Sequence, residues 1–497
     1  MNYRSTRNSA LNVTSAHAIT KGLSDEGGLY VPESIPQLSK DEILAMCDMS
    51  YADRAFEVFS RLLTDFTADE IRHCVDSAYN DKNFDSNNIA ELAKLIPGTY
   101  VLELWHGPTC AFKDMALQML PHLLTASLRK TGESRTACIL VATSGDTGKA
   151  ALDGFHDVPG TKIMVYYPVD GVSPMQKLQM ATQEGANVEV IAIHGNFDDA
   201  QSAVKRIFTD EATRASLDKD GMMLSSANSI NWGRLAPQIA YYVSAYCDMV
   251  KAGTIKQGDK INVCVPTGNF GNILAAYIAK QMGLPVNKFI CASNRNNVLT
   301  DFFKKDGEYD RNRDFYTTTS PSMDILISSN LERLLFFASG FDDKMVSELM
   351  TKLNTEGRYK VASEVFAKIN ADFDAGCCDD EHAAETIHKL WTEEKYLCDT
   401  HTAVAVRVYE DYRARTGDQT PTVIASTASP FKFCRAVIEA LGGTLEKDDV
   451  TQLDVLTGLT GVPAPAPLAA LAGKTPRFDR VVDKADILST VALLKDL

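Results

Sequence analysis

The stretch Thr136–Gly148 (TACILVATSGDTG) predicts the fold of this 497-residue chain. Its first seven residues, Thr136–Ala142, form a continuous apolar run of the length of a strand buried on both faces. The run leads directly into a loop with two glycines, and a helical pattern follows through Phe155. Strand, glycine loop and helix in this order indicate one unit of a parallel sheet whose faces are covered by helices.

The same alternation recurs along most of the chain. Further apolar runs that predict strands are Lys162–Val169, Val188–Ile193, Lys260–Val265, Lys288–Ala292 and Thr422–Ala425. Together they predict an α/β fold with mostly parallel sheets covered by helices. Ligands of such folds bind at the carboxyl ends of the strands, so the glycine-rich loops that follow strands are candidate binding sites.

Three regions that differ in their pattern of predicted helices and strands indicate the domain organisation. Residues 1–95 are a mixed α/β segment, 96–230 a smaller α/β domain, and 231–497 a larger α/β domain with a helical insertion near 300–400. Helices are expected at Lys40–Cys47, Tyr51–Leu63, Ala68–Tyr79, Phe197–Thr213, Ile273–Met282, Met323–Ala338 and Asp342–Leu353. Leu456–Ala472 is rich in alanine and proline, which predicts a surface connection.

Composition excludes several classes of protein. With 23% charged and 45% hydrophobic residues the chain has the balance of a soluble globular enzyme. Its formal net charge of -15 argues against nucleic-acid binding, which needs clustered cations. The 11 cysteines include no C-x-x-C pair, so we expect neither a metal site nor a disulfide framework. No signal peptide or apolar run long enough to span a membrane is seen, and a cytoplasmic location is expected.

Lys113 lies in the segment Trp105–Asp114 (WHGPTCAFKD), among small and apolar residues. Because a buried ammonium without a partner is costly, a lysine in this setting has a lowered pKa and can attack a carbonyl. Lys113 is therefore a candidate Schiff-base lysine. The alternative is a lysine at a helix start whose charged head reaches water.

A second glycine loop, after the strand Lys260–Val265, is a candidate phosphate site. Glycines allow the backbone to approach an anion, and the first N–H groups of the following helix point at it. The loop lacks the spacing of dinucleotide and nucleotide loops, so a small phosphorylated cofactor fits better; two glycines needed for conformation alone are the alternative. The loop consists of Gly268, Asn269, Phe270, Gly271 and Asn272.

The loop Thr143–Gly148 is a candidate carboxylate site. Its hydroxyl residues Thr143, Ser144 and Thr147 and the following helix N-terminus suit a substrate carboxylate, and Asp146 could face a phenolic oxygen or a ring. The alternative is a simple N-cap of that helix.

Two further polar segments suit other parts of a ligand. The donors Asn228, Ser229, Asn231 and Arg234 provide neutral groups and a planar cation for a second phosphate; the alternative is a polar turn with buried asparagines. In Ser426–Pro430, a hydroxyl could contact a pyridine nitrogen, and a helix N-cap before Pro430 is the alternative.

These segments, in this order, resemble the threonine synthase family, pyridoxal-phosphate enzymes of fold type II. The resemblance spans nearly the whole chain. It is carried by Ser15–Pro32, His106–Thr109, Phe112–Asp114, Thr143–Gly148, Asn228–Arg234, Gly268–Asn272, Ala292–Asn294, Ser320–Ile325, His401–Val404 and Thr427–Phe433.

The resemblance implies a role for each loop. Lys113 would bind pyridoxal 5'-phosphate covalently, Gly268–Asn272 would hold its phosphate, and Thr427 would meet its pyridine nitrogen. Asp146 would stand beside the phenolic oxygen, as in the microbial type of the family.

Two segments depart from the family pattern. Ser429 and Phe431 differ from the usual sequence after Thr427, which puts in doubt a histidine role there, and Cys398–Thr400 differs from the usual sequence before His401.

The implied reaction converts O-phospho-L-homoserine and water to L-threonine and phosphate, the last step of threonine biosynthesis. Lys113 would remove the α-proton. The alternatives are a serine/threonine dehydratase-like lyase and a non-enzymatic relative that binds a phosphorylated metabolite. The expected partner is a small molecule, with neither nucleic acid nor membrane, and the chain could be a monomer or a homodimer.

Overall fold

Two mostly parallel sheets organise the chain in the computed structural model, which describes residues 1–143, 145–169, 172–195 and 197–497. In the large sheet, all neighbouring strands are parallel except the last pair. Its strands, in spatial order, are Phe373–Cys377, Val286–Ser293, Ile261–Pro266, Thr422–Ser426, Thr99–Glu103 and Glu91–Ile96.

The small sheet is parallel throughout. Its strands, in spatial order, are Val481–Asp483, Val188–His194, Thr161–Pro168, Thr136–Ala142 and Met222–Ser225. Ile139 of this sheet and Val263 of the large sheet belong to one continuous cluster of buried apolar side chains. The two sheets therefore share a core, which fixes the loops of one against the loops of the other.

Two small antiparallel sheets account for the other named strands of the described residues. The N-terminal one contains Asn8–Val13, Tyr3–Ser5 and Tyr30–Pro32, and the second pairs Glu308–Asp310 with Arg358–Lys360. In the described part of the chain, no helix is both long and apolar enough to cross a membrane.

Helices cover both sheets. The α-helices are Ser15–Lys21, Lys40–Met46, Tyr51–Leu62, Ala68–Ala78, Asp114–Leu117, Leu120–Thr131, Asp146–Phe155, Pro174–Ala181, Phe197–Thr209, Glu211–Lys219, Trp232–Leu235, Pro237–Lys251, Gly271–Gln281, Val298–Lys304, Leu331–Ala338, Asp343–Glu356, Ser363–Asp372, Asp380–Lys389, Thr400–Thr416, Cys434–Ala440, Thr451–Thr460, Ala466–Ala469 and Ile487–Thr490. Shorter 3-10 turns are Pro321–Met323, Pro430–Phe433 and Val491–Lys495, and Leu390–Glu394 is a π-helix.

The predicted α/β class with mostly parallel sheets is confirmed. Each of the six predicted strands is present; Thr136–Ala142 has the predicted ends, and the ends of the others differ by at most two residues. The predicted boundaries at residues 95 and 230 stay a proposal. One sheet contains strands from both sides of the first boundary. The strand Glu91–Ile96 pairs with Thr99–Glu103, and both belong to the large sheet.

Three local expectations were wrong. The strand Phe373–Cys377 lies inside the region expected to be helical, because it adds to the edge of the large sheet beside Val286–Ser293. The helix expected from Met323 begins at Leu331. The helix expected over Phe197–Thr213 ends at Thr209, since Asp210 caps a new helix through the N–H of Thr213. The predicted connection Leu456–Ala472 lies largely at the surface, as expected, and it contains the end of one helix and a second short one.

Candidate active site

Lys113 lies immediately before the helix Asp114–Leu117, in the segment that follows the strand Thr99–Glu103 of the large sheet. The N–H of Phe112 donates to the carbonyl of Thr427 at 2.8 Å, and Ala111 pairs with Ala428. The Lys113 side chain is 10% exposed, and its Nζ lies 3.5 Å from Asp146 Oδ2 and 3.4 Å from Ser322 Oγ. Burial lowers the pKa of Lys113 to about 8, although Asp146 opposes this shift. The amine is therefore partly neutral near neutral pH, as a nucleophile or base requires.

Asp146 is a buried carboxylate with four polar partners. Lys432 Nζ and Gln176 Nε2 each lie 2.8 Å from Oδ1, while Lys113 and Ser322 contact Oδ2. Burial alone would raise the pKa of this carboxyl, but Lys432 and Lys113 outweigh it and hold the pKa well below its usual range. Asp146 is therefore ionised and fixed in orientation.

The loop Gly268–Asn272 presents free backbone donors. None of its five N–H groups donates to an acceptor among the described residues. The loop is held from behind instead: Gly268 O accepts from Ser328 Oγ at 2.7 Å, and Asn269 O accepts from Asn330. Because the loop opens the helix Gly271–Gln281, its free donors lie at the positive end of a helix dipole. Such an arrangement is suited to a phosphate.

Two side chains of this loop face the protein rather than a ligand. The Phe270 ring is buried and stacks on Phe303 and Phe373, so only its backbone is available to an anion. Asn272 Oδ1 accepts from Tyr241 at 2.8 Å, while its buried Nδ2 has no partner among the described residues. An orphaned buried donor is unusual and fits a bound acceptor at this loop.

Thr427 follows the strand Thr422–Ser426 and keeps a free hydroxyl. Its Oγ1 makes no hydrogen bond with a described residue, and the side chain is nearly buried. Ser429, in contrast, caps the next turn by accepting from the N–H of Phe431. The capping alternative therefore applies to Ser429, and Thr427 remains free for a ring nitrogen.

The predicted carboxylate loop is partly engaged with itself. Thr143 Oγ1 accepts from the N–H groups of Gly145 and Gly148 at 2.9 and 2.8 Å, so it stabilises the helix start. Thr147 Oγ1 lies 3.5 Å from Arg234 Nη2. The predicted Ser144 lies outside the described residues.

Of the predicted donors to a second phosphate, some have side chains available to a ligand and one uses its side chain to stabilise the fold. The side chains of Asn228 and Ser229 are half-buried and make no hydrogen bond with a described residue. The Asn231 amide is used internally: it donates to the carbonyls of Ile19 and Ser226 and accepts from the N–H of Gly233. As the chain is folded, Asn231 shapes the turn and its donors are not free.

Arg234 is a buried cation with no carboxylate within 4.0 Å in the described residues. Its Nη1 donates to Ala227 O at 2.8 Å. Burial lowers its pKa to about 10, because no anion compensates the lost hydration. A buried guanidinium that has no carboxylate partner is suited to bind an anionic ligand.

Asn330 joins the two candidate anion sites. Its Nδ2 donates to Ser229 O at 3.2 Å and to Asn269 O at 3.0 Å. The segment that holds Ser229 and the loop that holds Asn269 are therefore neighbours in space, although they are distinct loops.

Three polar contacts of the site were not predicted from the sequence. Ser322, Gln176 and Lys432 all contact Asp146. Ser322 and Lys432 lie within the segments Ser320–Ile325 and Thr427–Phe433 that carried the resemblance, and a lysine between two phenylalanines was a signal of the same kind as Lys113. The sequence around Gln176 indicates only a helix capping box, and the structure contains that box, with Gln176 at the third helical position.

His401 holds Ser322 in place. Its Nδ1 is 2.7 Å from Asp399 Oδ2, and its Nε2 accepts from the backbone N–H of Ser322 at 3.2 Å. Because Ser322 Oγ lies 3.4 Å from Lys113 Nζ, the role of His401 in this structure is to position Ser322 beside the lysine.

The residues present fit pyridoxal 5'-phosphate. A partly neutral buried lysine, five free backbone donors at a helix start, the orphaned Asn272 Nδ2 and the free Thr427 hydroxyl match its aldehyde, its phosphate and its ring nitrogen.

Three family models match this chain. Residues 2–79 match one described as threonine synthase N terminus, 86–427 one described as pyridoxal-phosphate dependent enzyme, and 402–491 one described as threonine synthase, C-terminal.

Relatives with these names are found in several organisms. A human protein named threonine synthase-like 1 is 41% identical over 86% of this chain, but the chain matches only 58% of that protein's length. Threonine synthase of Pseudomonas aeruginosa is 38% identical over 88% of this chain and 90% of its own. The solved structure of PLP-bound threonine synthase from Brucella melitensis has a TM-score of 0.88 and 35% identity, covering 100% of this chain and 99% of that one. Yeast threonine synthase gives 0.87 and 32%, covering 100% and 97%.

Proposed function

The chain belongs to the threonine synthase family of pyridoxal-phosphate-dependent enzymes, as the resemblance predicted, and on that basis we propose that it converts O-phospho-L-homoserine and water to L-threonine and inorganic phosphate. The observation that carries the substrate assignment is the buried cation of Arg234, which has no anion as a partner among the described residues. Arg234 contacts the segment of Ala227, which is separate from the cofactor loop Gly268–Asn272. A dehydratase acting on unphosphorylated amino acids has no use for a second phosphate site.

Residues of both sheets would hold the cofactor. Lys113 Nζ would bind it covalently, the N–H groups of Gly268–Asn272 its phosphate, and Thr427 Oγ1 its ring nitrogen. Asp146 would lie beside its phenolic oxygen. When bound, pyridoxal phosphate draws electrons from the substrate α-carbon and makes the α-proton acidic.

Once the substrate amino group has displaced its side chain from the cofactor, Lys113 would be free to act as the base. Its Nζ takes the proton from the α-carbon, and its pKa of about 8 gives a useful neutral fraction at neutral pH. Ser322 Oγ and Asp146 Oδ2 hold Nζ from one side during this transfer. The low exposure of Lys113 keeps bulk water from competing for the proton.

The substrate carboxylate would bind at the start of the helix Asp146–Phe155. The N–H groups of Asp146 and Thr147 donate to no described acceptor, and the helix N-terminus favours an anion. The hydroxyls of Thr147 and Ser144 complete this part of the proposal, and Thr143 supports the loop from inside.

The substrate phosphate would bind to Arg234 with the free side chains of Asn228 and Ser229. A net charge of -15 repels a dianion at long range, so the attraction must come from these local donors. A guanidinium forms paired hydrogen bonds with phosphate oxygens, and these are strong when the pair is shielded from water.

One incubation tests the proposal. The purified chain, loaded with pyridoxal phosphate, is mixed with O-phospho-L-homoserine, and phosphate and threonine are measured together. Equal amounts of both support the proposal, provided that Lys113→Ala forms neither. Phosphate with 2-oxobutyrate and no threonine would indicate a dehydratase-like lyase. Absence of both products from a cofactor-loaded protein would indicate a relative that only binds the metabolite.

A further inference from the structure

Lys432 is a second lysine buried in the site, and the reaction described above gives it no role. It lies in the turn Pro430–Phe433 after the strand Thr422–Ser426, and its side chain is 0% exposed. Its Nζ donates to Thr109 O at 2.8 Å and lies 2.8 Å from Asp146 Oδ1.

Structural support alone is a poor explanation for this side chain. A neutral donor could satisfy the carbonyl of Thr109, whereas a buried ammonium is costly unless an anion compensates it. In the described residues, Asp146 is the carboxylate within 4.0 Å of Lys432. The pairing of Lys432 with Asp146 therefore explains the position of both charges.

Asp146 is shared between two lysines through different oxygens. Lys432 lies 2.8 Å from Oδ1, and Lys113 lies 3.5 Å from Oδ2. One carboxylate balances one ammonium, and the shorter contact belongs to Lys432. The charge of Asp146 is therefore balanced mainly by Lys432, and Lys113 receives the weaker share of its attraction.

Other charged groups around the pair act in known directions. Arg234 and Lys432 both lower the pKa of Lys113, while Asp146 raises it. Cys110, whose pKa burial raises to about 12, and Asp114, whose pKa burial raises to about 7, also interact electrostatically with Lys432.

We propose that Lys432 is a positioning residue, which neutralises Asp146 on its far oxygen and so leaves the amine of Lys113 free to react with the cofactor aldehyde. In that reaction the neutral Nζ forms a C=N bond, and the aldehyde oxygen leaves as water after taking up the two amine hydrogens. The inference rests on the proposed role of Lys113, but it does not depend on which substrate the enzyme uses.

The test measures cofactor capture, without substrate. The cofactor is removed from the full chain, pyridoxal phosphate is added back, and the rate at which the visible absorption band appears is followed across pH. The wild-type rate should rise with a midpoint near the pKa of Lys113, about 8. Lys432→Met should raise this midpoint by about one pH unit, so that capture on the acid side becomes roughly tenfold slower.

Two further variants separate charge from packing. Lys432→Gln is neutral but its amide can still donate to Thr109 O, so it replaces the Met variant if that protein does not fold, with the same expected shift. Lys432→Arg keeps the charge and should keep the wild-type midpoint. A purely structural role would lower the thermal midpoint of all three variants and leave the pH midpoint in place.

The inference is overturned if a folded neutral variant keeps or lowers the pH midpoint, or if Lys432→Arg shifts it as much as Lys432→Met does. Covalent capture by Lys113→Ala would overturn the role of Lys113 and this inference with it. Failure to form threonine from O-phospho-L-homoserine would affect the proposed function and leave the capture experiment valid.

Discussion

The Nζ atom of Lys113 and the Oδ2 atom of Asp146 lie 3.5 Å apart, and both side chains are buried. They come from different sheets. Lys113 follows the strand Thr99–Glu103 of the large sheet, and Asp146 follows Thr136–Ala142 of the small one. The candidate site is thus built where the two sheets meet, and the shared core between them sets the distance between amine and carboxylate.

Lys113→Ala should abolish covalent cofactor binding and activity together. Borohydride reduction of the wild-type holoenzyme should leave a pyridoxyl label on the peptide that contains Lys113, because its Nζ is the partly neutral amine of the site. The label is located by mass spectrometry after proteolysis. A label that persists on another lysine in the variant would show that the assignment is wrong.

Asp146→Asn should lower the pH midpoint of cofactor capture. Burial lowers the pKa of Lys113, and the negative charge of Asp146 partly restores it. Without that charge the ammonium is less stable, so Lys113 becomes neutral at lower pH, by about one to two units. The measurement is the capture rate across pH, with circular dichroism to verify folding. A higher midpoint in a folded variant would contradict the assigned electrostatics.

Gly271→Val should weaken cofactor binding about tenfold or more while leaving Lys113 chemically intact. A Cβ at Gly271 would lie 3.5 Å from its nearest protein atom, which is ordinary van der Waals contact, so circular dichroism must verify that the larger valine variant folds. Loss of affinity in a folded variant would then report a ligand close to the backbone. At Gly268 the same atom would meet the carbonyl of Ser322 at 2.7 Å, so substitution there also disturbs the loop.

Equilibrium dialysis of pyridoxal phosphate measures the effect at Gly271. Gly458→Ala is a suitable control, because it lies in the helix Thr451–Thr460 with nothing within 4 Å of the added Cβ. Unchanged cofactor affinity in a folded Gly271→Val protein would place the cofactor phosphate elsewhere.

The sequence predicted those features whose causes are local. Apolar runs such as Thr136–Ala142 are buried on both faces, and their period and length are visible without the fold. The strand Phe373–Cys377 is different, because only one of its long edges is paired and its alternating burial weakens the apolar signal. It could not be distinguished from the helices around it.

Contacts within the site could not be predicted where the two residues lie far apart along the chain. Lys432 and Asp146 are 286 positions apart, yet their side chains meet because the turns that carry them follow strands of two sheets with one core. Asn231 illustrates the reverse case. Its residue type suited a phosphate, but the fold directs its amide to the carbonyls of Ile19 and Ser226.

Arg234→Ala should raise the KM for O-phospho-L-homoserine strongly and leave cofactor retention nearly unchanged. The guanidinium is buried without an anion, so a bound phosphate would supply its missing partner, worth about 2 kcal/mol or more. Arg234→Lys keeps the charge but loses the paired geometry, so its KM should lie between those of wild type and Arg234→Ala. Because Arg234 also lowers the pKa of Lys113, the kinetics are compared at alkaline pH, where Lys113 is neutral in every variant. Cofactor absorbance is recorded on the same samples. A normal KM, or joint loss of cofactor and substrate binding, would show that the substrate phosphate is held by other residues.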